Sequence, residues 1–438
     1  MLTHNPTHKT EDEPALNAID LASGITALKE YFTAGAKTCG NSRIGFELEQ
    51  IIVDVDNRTV PFTGSKGITG ILERLSPLYA KEIRADKTNP SSPLLGLVRK
   101  DATITLEPGS QFEFSSMPFW KLQDLSDAWK QYQDELLTVT QQMGYRPLTI
   151  GYQPHTMVSD ITLLPKERYN MMDQHFKGTG KHGINMMRGT ASTQVTIDYN
   201  NEADAIIKMR VAAALTPLFS LLTDNSPTFE GAPVRDYLKR TAIWNDVDPA
   251  RSMIPPGLFR TGYDFAAYAQ TALTAPIILF DKDGKVSYAG QKGAADCYDM
   301  NHLAYSDIEH ILSMLFFDVR LRNYVEIRCA DSIPFPYALA YVALIKGLFY
   351  DERNLTELNE RFVHFNEESV PTIKCALIRD GYEASVGDYY EGSVQLALQD
   401  LLYRARRGLQ RLSPEEEAYL DVFEPLIAAK TTLAKGSS

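Results

Sequence analysis

Six short segments of the chain read as strands: Arg43–Asp56, Ala102–Glu107, Gln111–Ser115, Ser192–Tyr199, Ala275–Phe280 and Tyr324–Cys329. In most of them apolar and polar residues alternate, the period of two that sets one strand face on a core and leaves the other polar. Apolar residues recur three and four apart over Leu122–Met143, Glu202–Leu222, Tyr305–Phe316, Tyr337–Tyr350 and Ser393–Leu412, which predicts amphipathic helices. Pro217, near the end of the second, predicts a kink or break there. Ser413-Pro414 followed by acids has the N-cap, first-turn proline and charge of one more helix start. Strands and helices interleave without the regular beat of a doubly wound fold. The expected class is therefore α+β with a mainly antiparallel sheet.

Nothing along the 438 residues marks a linker, a repeat or a low-complexity tract. The expected organisation is a loose arm over residues 1–20, then a single domain over 21–438 with a helical C-terminal portion, about 390–434. Lys435-Gly436-Ser437-Ser438 reads as a mobile tail. A formal charge of −12 argues against a surface built to neutralise a nucleic-acid backbone, although local arginines can still hold a nucleotide. Cys39, Cys297, Cys329 and Cys375 lie far apart with no CxxC pair, as expected of reduced thiols in the cytoplasm. The first thirty residues do not have the basic start and apolar core of a secretory leader. The apolar run Ala338–Tyr350 is interrupted by Lys346 and short for a bilayer, so no membrane partner is expected.

The positions of the acids add most to this picture. In Ile44-Gly-Phe-Glu47-Leu-Glu49, both carboxylates leave one face while Phe46 and Leu48 leave the other. Thr103-Ile-Thr-Leu-Glu107 turns through Pro108-Gly109-Ser110 into Gln111-Phe-Glu113-Phe-Ser115, a hairpin with Glu107 near its bend. Ser192-Thr-Gln194-Val-Thr196-Ile-Asp198 alternates in the same way, and Tyr324-Val-Glu326-Ile-Arg328 sets a carboxylate beside a guanidinium. A half-solvated sheet alternates too, and any one of these strands fits that simpler reading. Glu47, Glu49, Glu107, Glu113 and Glu326 together, with almost no lysine among them, do not. Glutamates gathered on one face repel one another unless cations lie between them, and oxygen-only ligands suit Mg²⁺ or Mn²⁺ rather than zinc. Carboxylates holding Mg²⁺ with an arginine nearby are the apparatus for steering an ATP phosphoryl group.

Several of these stretches also form longer motifs. Glu47-Leu-Glu49, Leu106-Glu107-Pro-Gly-Ser-Gln-Phe-Glu113, and Tyr169-Asn-Met-Met followed by Met186-Met187-Arg188-Gly-Thr190 resemble glutamate–cysteine ligases of the plant and proteobacterial type. So do Gln194-Val-Thr-Ile-Asp198, Asn225-Ser-Pro-Thr-Phe-Glu-Gly231, Arg240-Thr-Ala-Ile-Trp244-Asn-Asp246-Val-Asp248 and Glu326-Ile-Arg328-Cys-Ala-Asp331, in the family's order over about residues 40–350. The resemblance implies a glutamine synthetase-like core, in which a curved antiparallel sheet forms a funnel for ATP, metals and glutamate. It implies one Mg²⁺ on Glu49, Glu107 and Glu113 and another on Glu47 and Glu326, with Gln194 where related ligases carry a metal-binding histidine. Arg328 resembles the arginine that meets the transferred phosphate, and Arg240 and Arg188 resemble the residues that hold the glutamate carboxylates, with Trp244 a neighbour of that substrate. The implied reaction joins the γ-carboxylate of glutamate to the amine of cysteine through an acyl phosphate, at the expense of ATP, as the first step of glutathione synthesis. Its expected partners are these small molecules, and the expected state is a monomer or homodimer.

Other signals carry less. Gly178-Thr-Gly180-Lys181-His182 does not have P-loop spacing and reads as a turn between helix and strand, which leaves Lys181 an ATP contact at most. His155, His175 and His182 are too irregularly spaced for a metal site, and Met171, Met172, Met186 and Met187 read as packing. Three rival functions stay open: a γ-glutamyl ligase using another amine, a carboxylate-based hydrolase, and a nucleotide-binding regulator without catalysis. The hydrolase leaves Arg328 and the number of acids unexplained.

Overall fold

The computed structural model describes residues 18–38, 40–86, 89–282 and 285–436. Cys39 and residues 1–17 of the expected arm lie outside them, while residues 18–20 already belong to the helix Ala18–Gly35. The described strands are β1 Ile44–Val53, β2 Lys81–Arg84, β3 Leu94–Val98, β4 Ala102–Leu106, β5 Phe112–Ser116, β6 Arg146–Leu148, β7 Ser192–Ile197, β8 Thr228–Phe229, β9 Ala232–Pro233, β10 Pro276–Lys282, β11 Lys285–Gly293, β12 Val319–Leu321 and β13 Val325–Asp331. The main sheet runs β12-β13-β7-β1-β5-β4-β3-β2, with β6 paired to the end of β1, and all its pairings are antiparallel. β8–β9 and β10–β11 are separate hairpins. The expected α+β class with a mainly antiparallel sheet is what the chain forms.

The alternation along the strands decides which sheet face is covered. Phe46, Leu48, Phe114, Val195, Ile197, Val325 and Ile327 are all buried on one side. Helix Leu122–Gln142 closes that side over β5, with Trp129 edge-on to Phe114 at 5.3 Å and stacked on Phe335 at 4.9 Å. Phe335 opens the helix Phe335–Phe349, which also packs on this side. Burial of this many large side chains is the main source of stability, since each removes apolar surface from water. The other side of the sheet is left for the polar set.

Three local expectations change. Helix Glu202–Leu222 runs through Pro217 unbroken. Proline frees the carbonyl four residues back, and the Thr216 hydroxyl donates to that carbonyl, Ala213 O, at 2.9 Å. By length and composition this helix is apolar enough to cross a membrane, but 89% of its most apolar window is buried within the fold. The segment after Ser413 is a 3₁₀ helix, Pro414–Phe423, before a short α-helix, Glu424–Ala428. The glutamate that would have charged an α-helical first turn is drawn inward: Glu416 takes the Lys346 ammonium at 2.6 Å and the Leu122 amide at 2.8 Å. Lys346 is thus fully buried and paired. Finally, Lys435 and Gly436 are not a mobile tail but part of a last helical turn, Leu433–Gly436, with the Lys435 ammonium on the Arg235 carbonyl at 2.7 Å. Ser437 and Ser438 lie outside the described residues.

Candidate active site

Register brings the acids together. In β1–β5, Glu49 lies opposite Glu113 and Glu47 opposite Ser115; in β1–β7, Glu47 lies opposite Gln194; in β13, Glu326 lies opposite Thr196 on β7 and Arg320 on β12. Residues directly opposite share a face, so one polar surface spans β12 to β4. Glu107 joins it from the β4–β5 turn, which closes through the Ser110 amide to Glu107 O at 2.7 Å with Ser110 left-handed at φ +68. Gly109 is required there, because a Cβ would come within 2.4 Å of the Arg188 carbonyl.

A cleft of about 250 Å³ opens on this surface. Glu47, Glu49, Glu107, Glu113, Gln194 and Arg328 form its sheet floor, and Arg240 and Trp244 enter from the helix Lys239–Trp244. Arg168, Tyr169 and Met172 come from helix Glu167–Phe176, Met186 and Met187 from helix Gly183–Gly189, and Phe316 from the segment before β12. Of the methionines expected to be packing, Met172, Met186 and Met187 are buried and also form an apolar wall of the cleft, while Met171 is half-buried against the core.

Charge is divided unevenly along the floor. Burial, then Glu113, push the Glu49 carboxyl up to about 7 against the pull of Arg240 and two hydrogen bonds from Ser192. Burial, then Glu113 and Glu49, push Glu107 up to about 8, and Glu47 rises well above the ordinary range through burial, Glu113 and Glu326. Glu326 goes the other way. Burial would raise it, but Arg320, Arg328 and Arg322 outweigh that and hold it below the ordinary value. The cleft therefore has an acid-rich end around Glu49, Glu107 and Glu113 and a guanidinium-rich end at β12–β13. The acid-rich end offers only oxygen donors, and burial together with neighbouring carboxylates makes Glu49 and Glu107 retain their protons, an environment that a divalent cation relieves. Among the described residues, no three His, Cys, Asp or Glu side chains already stand close enough together to hold an ion. The donor set fits a hard cation; binding one requires these glutamates to converge.

Several expected roles are revised. Glu326 is buried and bonded to Arg320, which lines the cleft where Glu326 does not, so its carboxylate is already engaged by the arginines. Gln194 bridges: its carbonyl accepts from Arg328, and its amide donates to Glu49 at 3.3 Å and to Ser192 at 3.0 Å. Arg328 is aimed by this bond and by a β-bulge, since the β13–β7 register slips between Ile327 and Ala330. Arg240 makes only long contacts, 3.3 Å to Cys329 O and 3.4 Å to Arg328 O, lies over Trp244 at 5.3 Å, and keeps its Nε buried without a partner. Arg188 does not line the cleft. Its side chain is held by Asp173 at 2.5 Å and by the Ile161 carbonyl at 3.0 Å, while the β4–β5 turn packs against its backbone. Lys181 is exposed and outside the lining; its loop joins two helices rather than a helix and a strand, and docks on Asp246 and Val247. The three histidines part company, with His175 buried on Asp248 at 3.0 Å, His182 on Asn185 and His155 exposed.

Sequence reasoning missed Arg168, Tyr169 in its lining role, and Arg320. Arg320 and Arg322 flank Leu321 and follow Val319, an apolar–basic alternation that mirrors the acidic strands. Arg168 stands directly before the Tyr169-Asn-Met-Met motif. A larger cavity, about 1150 Å³, lies at the other end of the sheet near Trp120, Lys121 and Tyr350. It contains none of the converging glutamates, so size does not identify the site.

Comparison with known proteins agrees with this geometry. The model of Glutamate-cysteine ligase family 2 (GCS2) matches residues 43–429. The chloroplastic glutamate–cysteine ligase B of Oryza sativa subsp. japonica is 29% identical over 441 residues, spanning 96% of this chain and 85% of that one. The chloroplastic glutamate–cysteine ligase of Arabidopsis thaliana is 29% identical over 414 residues, spanning 92% and 77%. Among solved structures, the glutamate–cysteine ligase of Francisella tularensis in complex with AMP is similar in fold, with a TM-score of 0.54 at 12% identity over 89% of this chain and 82% of that one. Nearly the whole described fold, cleft included, lies inside the family match, and the chain belongs to glutamate–cysteine ligase family 2.

Proposed function

We propose that this protein is an ATP-dependent ligase that joins the γ-carboxylate of glutamate to the amine of cysteine, the first step of glutathione synthesis. The observation that carries the reading is the division of one cleft into acids and guanidiniums, with Arg240 entering it from a separate helix and holding an unpartnered Nε. Arg240 binds a glutamate carboxylate, since a guanidinium with free N–H groups fits a carboxylate in a fixed orientation. The γ-carboxylate oxygen then attacks the γ-phosphorus of ATP and ADP leaves. The cysteine amine attacks the resulting acyl phosphate, loses a proton, and phosphate departs with its electron pair. Arg328, aimed by Gln194 and charged beside Glu326, stabilises the negative charge on the phosphoryl oxygens in both steps.

Mg²⁺ fits the acid-rich end, where Glu49, Glu107 and Glu113 would hold it, and Glu47 would be available to a second ion. Bound there, it supplies charge neutralisation for the triphosphate. The protein's own contribution is to retain the carboxyl oxygens in a partly buried cleft and to keep Arg240 and Arg328 apart on separate elements. Met172, Met186, Met187 and Phe316 give the amine side a soft apolar wall, which suits a thiol side chain. The test is ADP release by purified protein with ATP, Mg²⁺ and glutamate across a panel of amino acids, with the product weighed. Cysteine should stimulate release far above the rest. Equal turnover with many amines would make the protein a sibling ligase, and no glutamate-dependent release would remove the ligase reading.

A further inference from the structure

Arg240 is aimed by its helix more than by its partners, because its hydrogen bonds are long and its Nε has none. What holds that helix therefore sets the substrate contact. Helix Lys239–Trp244 is entered through Leu238, a buried residue in the left-handed region at φ +54. A branched side chain is strained there, and such a conformation persists only where the surroundings over-determine it.

The surroundings are supplied from the far end of the chain. The Leu238 amide donates to Asp224 Oδ1 at 3.2 Å, while Asp224 Oδ2 accepts from the Thr432 hydroxyl at 2.9 Å. The Asp224 carbonyl accepts from the Ala434 amide at 3.0 Å. Lys435 reaches the Val234 and Arg235 carbonyls at 3.1 and 2.7 Å and lies over the Tyr237 ring at 4.9 Å. Both ends of the segment leading into the Arg240 helix are thus tied to residues 432–435.

We propose that Thr432–Lys435 is a positioning strap for Arg240, acting through Asp224 and the strained Leu238. The inference rests on the glutamate-binding role given to Arg240 above. Without the strap, Leu238 relaxes toward an ordinary conformation and the helix carrying Arg240 and Trp244 turns with it. Glutamate binding then weakens while the phosphate-handling residues on β13 stay in place.

The experiment is steady-state kinetics on full-length Thr432→Val, Thr432→Ser, Lys435→Met and Arg240→Lys, each corrected for folded fraction. Thr432→Val keeps the shape and removes the donor. We expect its glutamate KM to rise about tenfold with kcat changed less than about twofold, in line with the sensitivity of active sites to small misplacements. Thr432→Ser should restore the wild-type value, and Lys435→Met should shift KM in the same direction. In the Arg240→Lys background, Thr432→Val should add less than about twofold, because the contact it positions is already impaired. A lower melting temperature with unchanged glutamate KM in both Thr432→Val and Lys435→Met would make the strap purely structural and overturn the proposal, as would an equal rise in the KM of ATP. If Thr432→Val does not fold, Lys435→Met decides by the same criterion. If Arg240→Lys itself leaves the glutamate KM unchanged, the binding role of Arg240 fails and the strap falls with it. A shift in Arg240→Lys alone overturns only the strap.

Discussion

Glu49 and Glu113 stand directly opposite each other on β1 and β5, two carboxylates in register on one polar face. Like charges so placed destabilise a sheet. Burial and the facing Glu113 make Glu49 retain its proton up to about 7, although the Ser192 hydroxyl and amide, each donating at 2.8 Å, favour the ionised carboxylate. A pair that weakens the sheet is explicable if its stabilising partner is a bound cation.

Glu49→Gln and Glu113→Gln should therefore have opposite effects on stability and activity. In metal-free protein, removing one charge of the pair should leave the melting temperature unchanged or raise it, a gain of about 0.2–1 kcal/mol. With Mg²⁺ and all substrates, kcat/KM should fall by about 100-fold or more, as when a strong charge-stabilising contact is removed. Thermal melts in chelator and activity assays on the same preparations check both. Near-normal turnover at ordinary Mg²⁺ would remove these residues from the metal site.

The raised carboxyls also fix the sign of a pH dependence. Glu49 at about 7 and Glu107 at about 8 bind protons in the folded state that the unfolded chain has already released. Their contribution to stability is complete below the ordinary carboxylate range and is lost as pH rises through 7 and 8. Metal-free protein should therefore melt lower at the alkaline end of this window. Added Mg²⁺ should raise the melting temperature more there than in mild acid, releasing protons as it binds. Melts across that pH range with and without Mg²⁺ test this, and a metal-induced shift that is largest in acid contradicts it.

Arg328 and Arg240 should separate kinetically. Arg328→Ala should lower kcat with modest change in the glutamate KM, because its contact strengthens as charge moves in the transition state. Arg240→Lys should chiefly raise the glutamate KM, since charge is kept but the fork is lost. Each loss should amount to about 2–4 kcal/mol in kcat/KM. An Arg328 variant with full turnover and a lower melting temperature would mean that it serves only Gln194 and Glu326.

Arg188 should behave differently from both. Its guanidinium ties Asp173 to the 158–161 segment, outside the cleft. Arg188→Ala should cost about 2 kcal/mol of stability, the scale of hydrogen bonds to a charged group, and leave the kinetic constants of the folded fraction nearly unchanged. A selective rise in glutamate KM without destabilisation would return Arg188 to the substrate site.

The acidic floor was legible because Phe46, Leu48 and Phe114 mark the buried face, leaving the glutamates only one direction to point. The hairpin around Glu107 was equally plain from its Pro-Gly turn. Arg188 and Lys181 were not, because where a long side chain ends depends on neighbours from other segments: Asp173 and the Ile161 carbonyl for one, the Asp246 loop for the other. Strand β12 was missed because three residues are too few to show a period, and Arg320 went with it. β3 was missed because Leu94-Leu-Gly-Leu-Val98 is buried almost throughout and has no alternation to read. The tail was misjudged from its small and polar residues, whereas what orders it is Asp224, more than two hundred positions earlier.

The central claim, that glutamate is activated by transfer of phosphate to its γ-carboxylate, has a direct test in oxygen transfer. Glutamate labelled with ¹⁸O in the γ-carboxylate should be incubated with the protein, ATP, Mg²⁺ and cysteine, and the inorganic phosphate analysed by mass spectrometry. An acyl phosphate leaves the bridging oxygen on phosphate, so the account predicts one labelled oxygen in the phosphate for each γ-glutamylcysteine formed. Dipeptide formed with unlabelled phosphate, or labelled glutamate recovered intact while ATP is consumed, would contradict it.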